Sequence, residues 1–443
     1  MSQSAPLWRS ISVLALLAAC SDSDKSIAPA STDESQPNEF RPAFTQEHNQ
    51  RQHRRFPQDD IWWTAYGDDQ EWNFRNVHQF FPTVNVYRDG QVSELPSNPN
   101  PAIADHLVDT PAGPMTFDDL LHSDMTTAMG VIVLHKGQIA YEAYPRMQDY
   151  EMPVYWSVAK QFVGTVVRIL EERGDVDVSL PIEHYIPEIS ASDFAGVTVR
   201  NILDMATGLD CDDGKYTDWD SCYYRYSMTI GDGFRTDNAE DNPYDFVAKL
   251  TGTRVIEQGR EFSYSGLNTF VLAWMVEKIT GMSFQDALSK EIWQHIGAES
   301  NASYIAPRYG VPITHGGFLA RLRDMARYGL LFTPSYTVVS DRKIISDAHI
   351  ELLWSGGRPE LLTNAGAPGV EASGVKHNIY QWDEIHANGN YYKGGWAGQG
   401  FMVNPQHDLV AVFVSYKKID ESEIRVEPIL FNVLDSVFGG STH

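Results

Sequence analysis

The chain has 443 residues, enough for a large core arranged in two lobes. A formal net charge of −25 argues against a nucleic-acid partner and against a basic patch on anionic lipid. Only three cysteines are present, Cys20, Cys211 and Cys222, with no Cys-x-x-Cys pair, so zinc and redox motifs are unsupported and no metal is expected.

Residues 1–20 read as an export signal. Arg9 is a thin positive flank, and residues 11–19 form an apolar run that ends in small residues and is too short to cross a bilayer. Leu17-Ala18-Ala19-Cys20 resembles the lipobox of bacterial lipoproteins, which implies cleavage before Cys20 and a lipid on its thiol. The expected location is therefore the bacterial cell envelope, on the periplasmic face or the outer membrane, with a membrane contact through that anchor. Residues 21–60 have the composition of a flexible linker. Residues 61–113, opening on Ile61-Trp62-Trp63, are expected to pack as an extension on the main domain. Residues 85–92 are expected to form a small hairpin turning at Asp89-Gly90.

The main domain is expected over residues 114–443. Strands at 129–134 and 139–144 flank a turn at 135–138. Next comes Tyr155-Trp156-Ser157-Val158-Ala159-Lys160, followed by apolar residues at 162, 163, 166, 167, 169 and 170, the spacing of a largely buried helix that stops at Gly174. Ser157 then lies at the helix N-terminus with Lys160 one turn on, on the same face. A serine hydroxyl is a weak nucleophile that needs an adjacent base, and burial can lower a lysine toward that role. Taken alone, Ser-x-x-Lys also fits an N-cap and a surface charge.

Thr198 reads as the N-cap of a short helix ending at Gly208. A helical insertion spans about 176–299, and within it residues 210–250 are rich in Asp and Tyr. Asp210, Asp212, Asp213, Asp218 and Asp220 lack the spacing of a calcium loop and read as a solvated acidic loop. Cys211 and Cys222 can pair if the chain is exported. Residues 267–279 form an apolar helix ending at Gly281, residues 283–299 another, and residues 315–332 a turn and helix. Strands follow at 391–396, 400–404 and 409–415, then a last helix ending at Phe438. This order gives an α+β class with an antiparallel sheet flanked by helices and a helical subdomain.

Four ordered segments resemble serine hydrolases of the penicillin-recognising fold: class C β-lactamases, D,D-peptidases, related esterases and 6-aminohexanoate-dimer hydrolases. They are Ser157-Val-Ala-Lys160, the helix beginning Thr198-Val-Arg-Asn, the pair Tyr264-Ser265, and Gly316-Gly317 with the helix after it. The resemblance covers about residues 115–440 and implies a β-lactamase/transpeptidase-like fold. It implies Ser157 as the acylated nucleophile, Lys160 as its base and Tyr264 as the proton shuttle to the leaving group. The third motif of that family falls on Lys393-Gly394-Gly395, or on Ala397-Gly398-Gln399. The first choice makes the backbone N–H groups of Ser157 and Trp396 the oxyanion donors, and Gly394 and Gly395 permit close approach of substrate. In this resemblance a tyrosine of the insertion contacts substrate; Tyr216 is the candidate, with Tyr223 and Tyr224 nearby.

Two departures bear on substrate. Gly266 stands where β-lactamases carry the Asn of the second motif, and the third motif lacks its Thr. The expected activity is therefore hydrolysis of a small carboxylic ester or open-chain amide through an acyl-enzyme, without metal or organic cofactor. The rival activities are those of a β-lactamase or D,D-peptidase, and the rival outside catalysis is a silent envelope-binding lipoprotein.

Overall fold

The computed structural model describes residues 43–55, 65, 69–236, 239–240, 242–366 and 374–439. Cys20, the signal segment and Ile61-Trp62-Trp63 lie outside them.

Strands β1 (Thr83–Val86), β2 (Leu107–Val108) and β3 (Met115–Thr116) precede the long hairpin of β4 (Ala128–His135) and β5 (Gln138–Ala143). Strands β6 (Ala302–Ile305) and β7 (Phe318–Leu319) follow the helical region. The C-terminal part supplies β8 (Val375–Ile379), β9 (Trp382–His386), β10 (Tyr391–Gly395), β11 (Gln399–Asn404) and β12 (Leu409–Ser415). Seven of these strands form one antiparallel sheet in the order β5-β4-β12-β11-β10-β9-β8, so the N- and C-terminal parts meet where β4 pairs with β12.

Both faces of the sheet are covered, which is why β4 and β12 read as unbroken apolar runs. Val131, Val133, Ala411 and Phe413 pack with Phe117 and the helix Val426–Phe438 on one face. Ile132, Leu134, Val410 and Val412 enter the larger core on the other, with Phe162 and Val166 of the helix Lys160–Arg173. That helix ends at Gly174 in the left-handed region (φ 87°), as the sequence suggests.

Three expectations are corrected, and two groups of elements are added to those expected. The tract taken as linker to residue 60 already contains a helix, Gln46–Arg55, whose Asn49 Oδ1 accepts from Trp72 Nε1 at 3.2 Å. Residues 85–92 form no hairpin, because β1 instead pairs with β6, Thr83 opposite Ile305. The Thr198-capped helix ends at Leu203 rather than Gly208. Within the helical insertion, residues 210–250 carry the helices Cys222–Ile230 and Pro243–Lys249, for which the sequence offered no bounds. Strands β8 and β9 were not foreseen; they are joined by a two-residue turn, Tyr380-Gln381, with both residues at positive φ.

The helix Lys160–Arg173 touches that turn at Gly164, where a Cβ would lie 2.2 Å from the Tyr380 carbonyl oxygen. Gly164→Ala must push helix and sheet apart, and the expected loss is about 1–3 kcal/mol of unfolding free energy, read from the urea midpoint. An unchanged midpoint would show that the two elements do not pack as described.

Candidate active site

Ser157 lies in a 3-10 turn, Trp156–Ala159, that runs directly into the helix Lys160–Arg173. Trp156 just before it sits at φ 45°, a conformation that costs a bulky residue about 1–3 kcal/mol and is held only by its surroundings. Those surroundings are visible. Tyr155 N–H donates to the Phe318 carbonyl at 2.9 Å, Val154 N–H to the Phe74 carbonyl at 3.0 Å, and the Trp156 ring stands edge-on to Phe74 and Trp396. Ser157 is left partly exposed at a cleft of about 430 Å³.

Lys160 is almost wholly buried, at 1% exposure. Its ammonium donates to Ser157 Oγ at 3.0 Å, to the His315 carbonyl at 3.0 Å and to Asp213 Oδ2 at 3.2 Å. Three N–H groups thus meet three acceptors, the full capacity of the group. The His315 carbonyl is fixed from behind: its ring contacts Asp232 Oδ2 and Tyr226 Oη, each at 3.2 Å, and Tyr223 O–H donates to the same Asp232 oxygen.

Tyr264 comes from the segment leading into the helix Gly266–Thr280. Two cations stand close to its ring, with Lys160 Nζ and Lys393 Nζ each 4.7 Å from the centroid. Lys393 also donates to the Tyr264 oxygen at 2.9 Å. Burial first, and then the Asp383 and Asp213 charges, push the phenol well above its ordinary value of 10.0, so Tyr264 is a protonated phenol at neutral pH. A hydrogen bond with Ser157 acts the other way without reversing this.

The end of β10 closes the cleft opposite Ser157. A Cβ on Gly395 would lie 2.6 Å from the Tyr155 carbonyl oxygen, so glycine there lets the strand come up against the segment bearing the serine. Gly394, Gly395, Trp396 and Tyr216 all line the cleft with Ser157, Lys160 and Tyr264. Tyr223 lines it too, whereas the Tyr224 ring stacks on Trp219 at 5.2 Å. Lys393 departs from its expected place at the substrate. It lies beneath the surface with no exposure, ion-paired to Asp383 and hydrogen-bonded to Tyr264, because Asp383 on the neighbouring β9 draws it inward.

Asp383, His315 and Asp232 join the site without a role predicted from the sequence, and so does Asp213, expected only as part of the solvated acidic loop. The solvated acidic loop is corrected at Asp213, which turns inward: Oδ1 accepts from Gly266 N–H and Oδ2 from Lys160. Cys211 and Cys222 are disulfide-bonded and tie down both ends of that segment. No local pattern marks Asp383: Trp382-Asp383-Glu384-Ile385 reads apolar, polar, polar, apolar, without the alternation of a strand.

The beta-lactamase family model matches residues 115–428. A 6-aminohexanoate-dimer hydrolase of Paenarthrobacter ureafaciens is 28% identical over 347 residues, covering 78% of this chain and 84% of its own. A Bacillus anthracis structure, described as a candidate 6-aminohexanoate-dimer hydrolase, superposes with a TM-score of 0.71 at 23% identity, over 87% of this chain and 96% of its own. EstCE1, a hydrolase with promiscuous acyltransferase activity, superposes at a TM-score of 0.53 and 15% identity, over 71% and 95%.

Burial lowers Lys393 from 10.5 to about 8, with the Asp383 charge opposing and the Lys160 charge adding to the fall. Between those values the unfolded lysine holds a proton that the folded one has lost, so stability gained from this group rises with pH over that window. Denaturation of wild type and Lys393→Met at a series of pH values checks it: the wild-type stability relative to the variant is expected to climb from about pH 8 to about pH 10. A flat difference would contradict the burial of a charged Lys393.

Proposed function

This chain belongs to the beta-lactamase family and is a hydrolase, and from that premise we propose that it cleaves small carboxylic esters or open-chain amides through an acyl-enzyme on Ser157. The carrying observation is the 3.0 Å contact between the buried Lys160 Nζ and Ser157 Oγ, which opens onto the cleft. Lys160 takes the serine proton as Oγ attacks the acyl carbon. The backbone N–H groups of Ser157 and Trp396 face the developing oxyanion, where fixed dipoles act without reorganisation. Tyr264, kept protonated by its surroundings, gives its proton to the departing alcohol or amine, and Lys393 stabilises the phenolate left behind. Water then repeats the sequence on the acyl-enzyme.

The lining supports an uncharged or cationic substrate over an anionic one. Asp213, Asp232, Glu384 and Glu427 face the cleft against Lys160 and Arg425, and Arg425 is itself paired with Glu427 at 2.7 Å. A substrate carboxylate, such as β-lactams carry, has no unpaired buried cation to meet among these lining residues. Tyr216 and Trp396 offer aromatic walls for an acyl or amino chain.

We also propose that the enzyme is exported and held to the cell envelope by a lipid on Cys20. The Cys211–Cys222 disulfide supports an oxidising compartment.

Three variants test these proposals. Ser157→Ala is expected to lose both the fluorophosphonate adduct and turnover of a short-chain nitrophenyl ester, by about a thousand-fold or more. Tyr264→Phe is expected to lower kcat about 10²–10⁴-fold with KM little changed. Retained turnover in Ser157→Ala would remove the serine mechanism. For the anchor, Cys20→Ser expressed in a bacterium should move from the membrane to the soluble fraction and lose labelling by a fatty-acid probe; membrane retention of the variant would contradict lipidation.

A further inference from the structure

We propose that Asp213 is a positioning residue for the reaction: it holds Lys160 and accepts the proton that Lys160 must lose before it can serve as a base. The inference rests on the acyl-enzyme reading above and concerns how its base is armed.

The geometry raises the problem first. An amine that already donates three hydrogen bonds has no lone pair to take the serine proton. Lys160 is in that state, with Ser157 Oγ, the His315 carbonyl and Asp213 Oδ2 as its acceptors. One proton must leave. Of the three acceptors, the carbonyl is a very weak base and Ser157 is the group to be deprotonated, which leaves the carboxylate. The other titratable and charged groups around Lys160 do not compete. Tyr264 is a protonated phenol, Lys393 is a cation paired with Asp383, and Asp232 reaches Lys160 only through the His315 residue it anchors.

Asp213 is built into this place. Its Oδ1 accepts from Gly266 N–H, its own N–H donates to the Tyr264 carbonyl at 2.9 Å, and its side chain is only 17% exposed. Gly266 is what makes the room. A Cβ there would stand 3.2 Å from Asp213 Oδ2 and 2.7 Å from the His315 ring, so a side chain on residue 266 would displace the carboxylate. Two residues upstream, the Cys211–Cys222 bond fixes the segment that delivers it.

The step balances as follows. A Lys160 N–H bond breaks and an Asp213 Oδ2–H bond forms, leaving a neutral amine beside a neutral acid. The freed nitrogen pair takes the Ser157 proton while the Oγ pair bonds to the acyl carbon and the carbonyl π pair moves to its oxygen. The oxyanion pair then re-forms the carbonyl as the bond from the acyl carbon to the leaving oxygen or nitrogen breaks; that atom takes the Tyr264 proton, Lys160 restores Tyr264 and Asp213 restores Lys160. A neutral intermediate pair also avoids a lone charge in a buried site, which is costly.

The test is the pH profile of kcat/KM for a nitrophenyl ester in wild type, Asp213→Asn and Ser157→Ala. Asparagine keeps the shape but takes no proton, so Lys160 must shed its proton to solvent. Activity in Asp213→Asn is then expected to fall at neutral pH and recover as pH rises, its acid limb displaced upward by more than about one pH unit. Asp213→Ala is expected to regain activity with added formate, in proportion to its concentration and not with chloride. A pH-independent loss, an unshifted or downward-shifted limb, or no response to formate would overturn the assignment. Activity retained in Ser157→Ala would instead overturn the acyl-enzyme reading itself.

Discussion

Placing the Lys160 ammonium where water barely reaches it costs several kcal/mol unless every proton is matched and the charge is balanced. The fold meets that condition from three directions at once: the serine one turn back, a carbonyl from the segment before β7, and a carboxylate from a disulfide-tied loop. None of these can move far without stranding the charge. The serine, the loop and the His315 segment are therefore held in register by the same group that is proposed as the base.

A second buried cation completes the arrangement. Lys393 and Lys160 both lie near the Tyr264 ring, and each has a carboxylate of its own, Asp383 and Asp213. The tyrosine thus has two matched ion pairs as neighbours. It is kept as an acid by burial while the lysine at its oxygen is ready to stabilise its anion. Neither lysine is spare for binding a substrate anion, so substrate choice falls to the aromatic and acidic walls of the cleft.

Much of this could be read from the sequence where the cause is local. The apolar spacing after Ser157 and the glycine at 174 define the central helix, and the order of four motifs groups Ser157, Lys160 and Tyr264 by resemblance alone. What stayed hidden has its causes elsewhere in the chain. The turn between β8 and β9 carries Tyr380 and Gln381 at positive φ, where Asn-Gly would be expected; it is held from outside by Asp204, Leu203 and Thr269. Strand β1 finds its partner more than two hundred residues away, so Asp89-Gly90 misled as a hairpin signal. The helix Gln46–Arg55 buries only Gln52 and has no apolar stripe to announce it. Asp213 sat among five aspartates whose local pattern signals solvent, and only its contact with a lysine 53 residues away gives it another use.

The most direct measurement of the central claim is the intact mass of the soluble domain, without residues 1–20, quenched during turnover of a slowly hydrolysed ester. A single acyl group that appears and decays at catalytic rates, located by peptide mapping on the segment bearing Ser157, is the expected result. A well-folded protein that hydrolyses the ester with no such adduct, or with an adduct elsewhere, would contradict it.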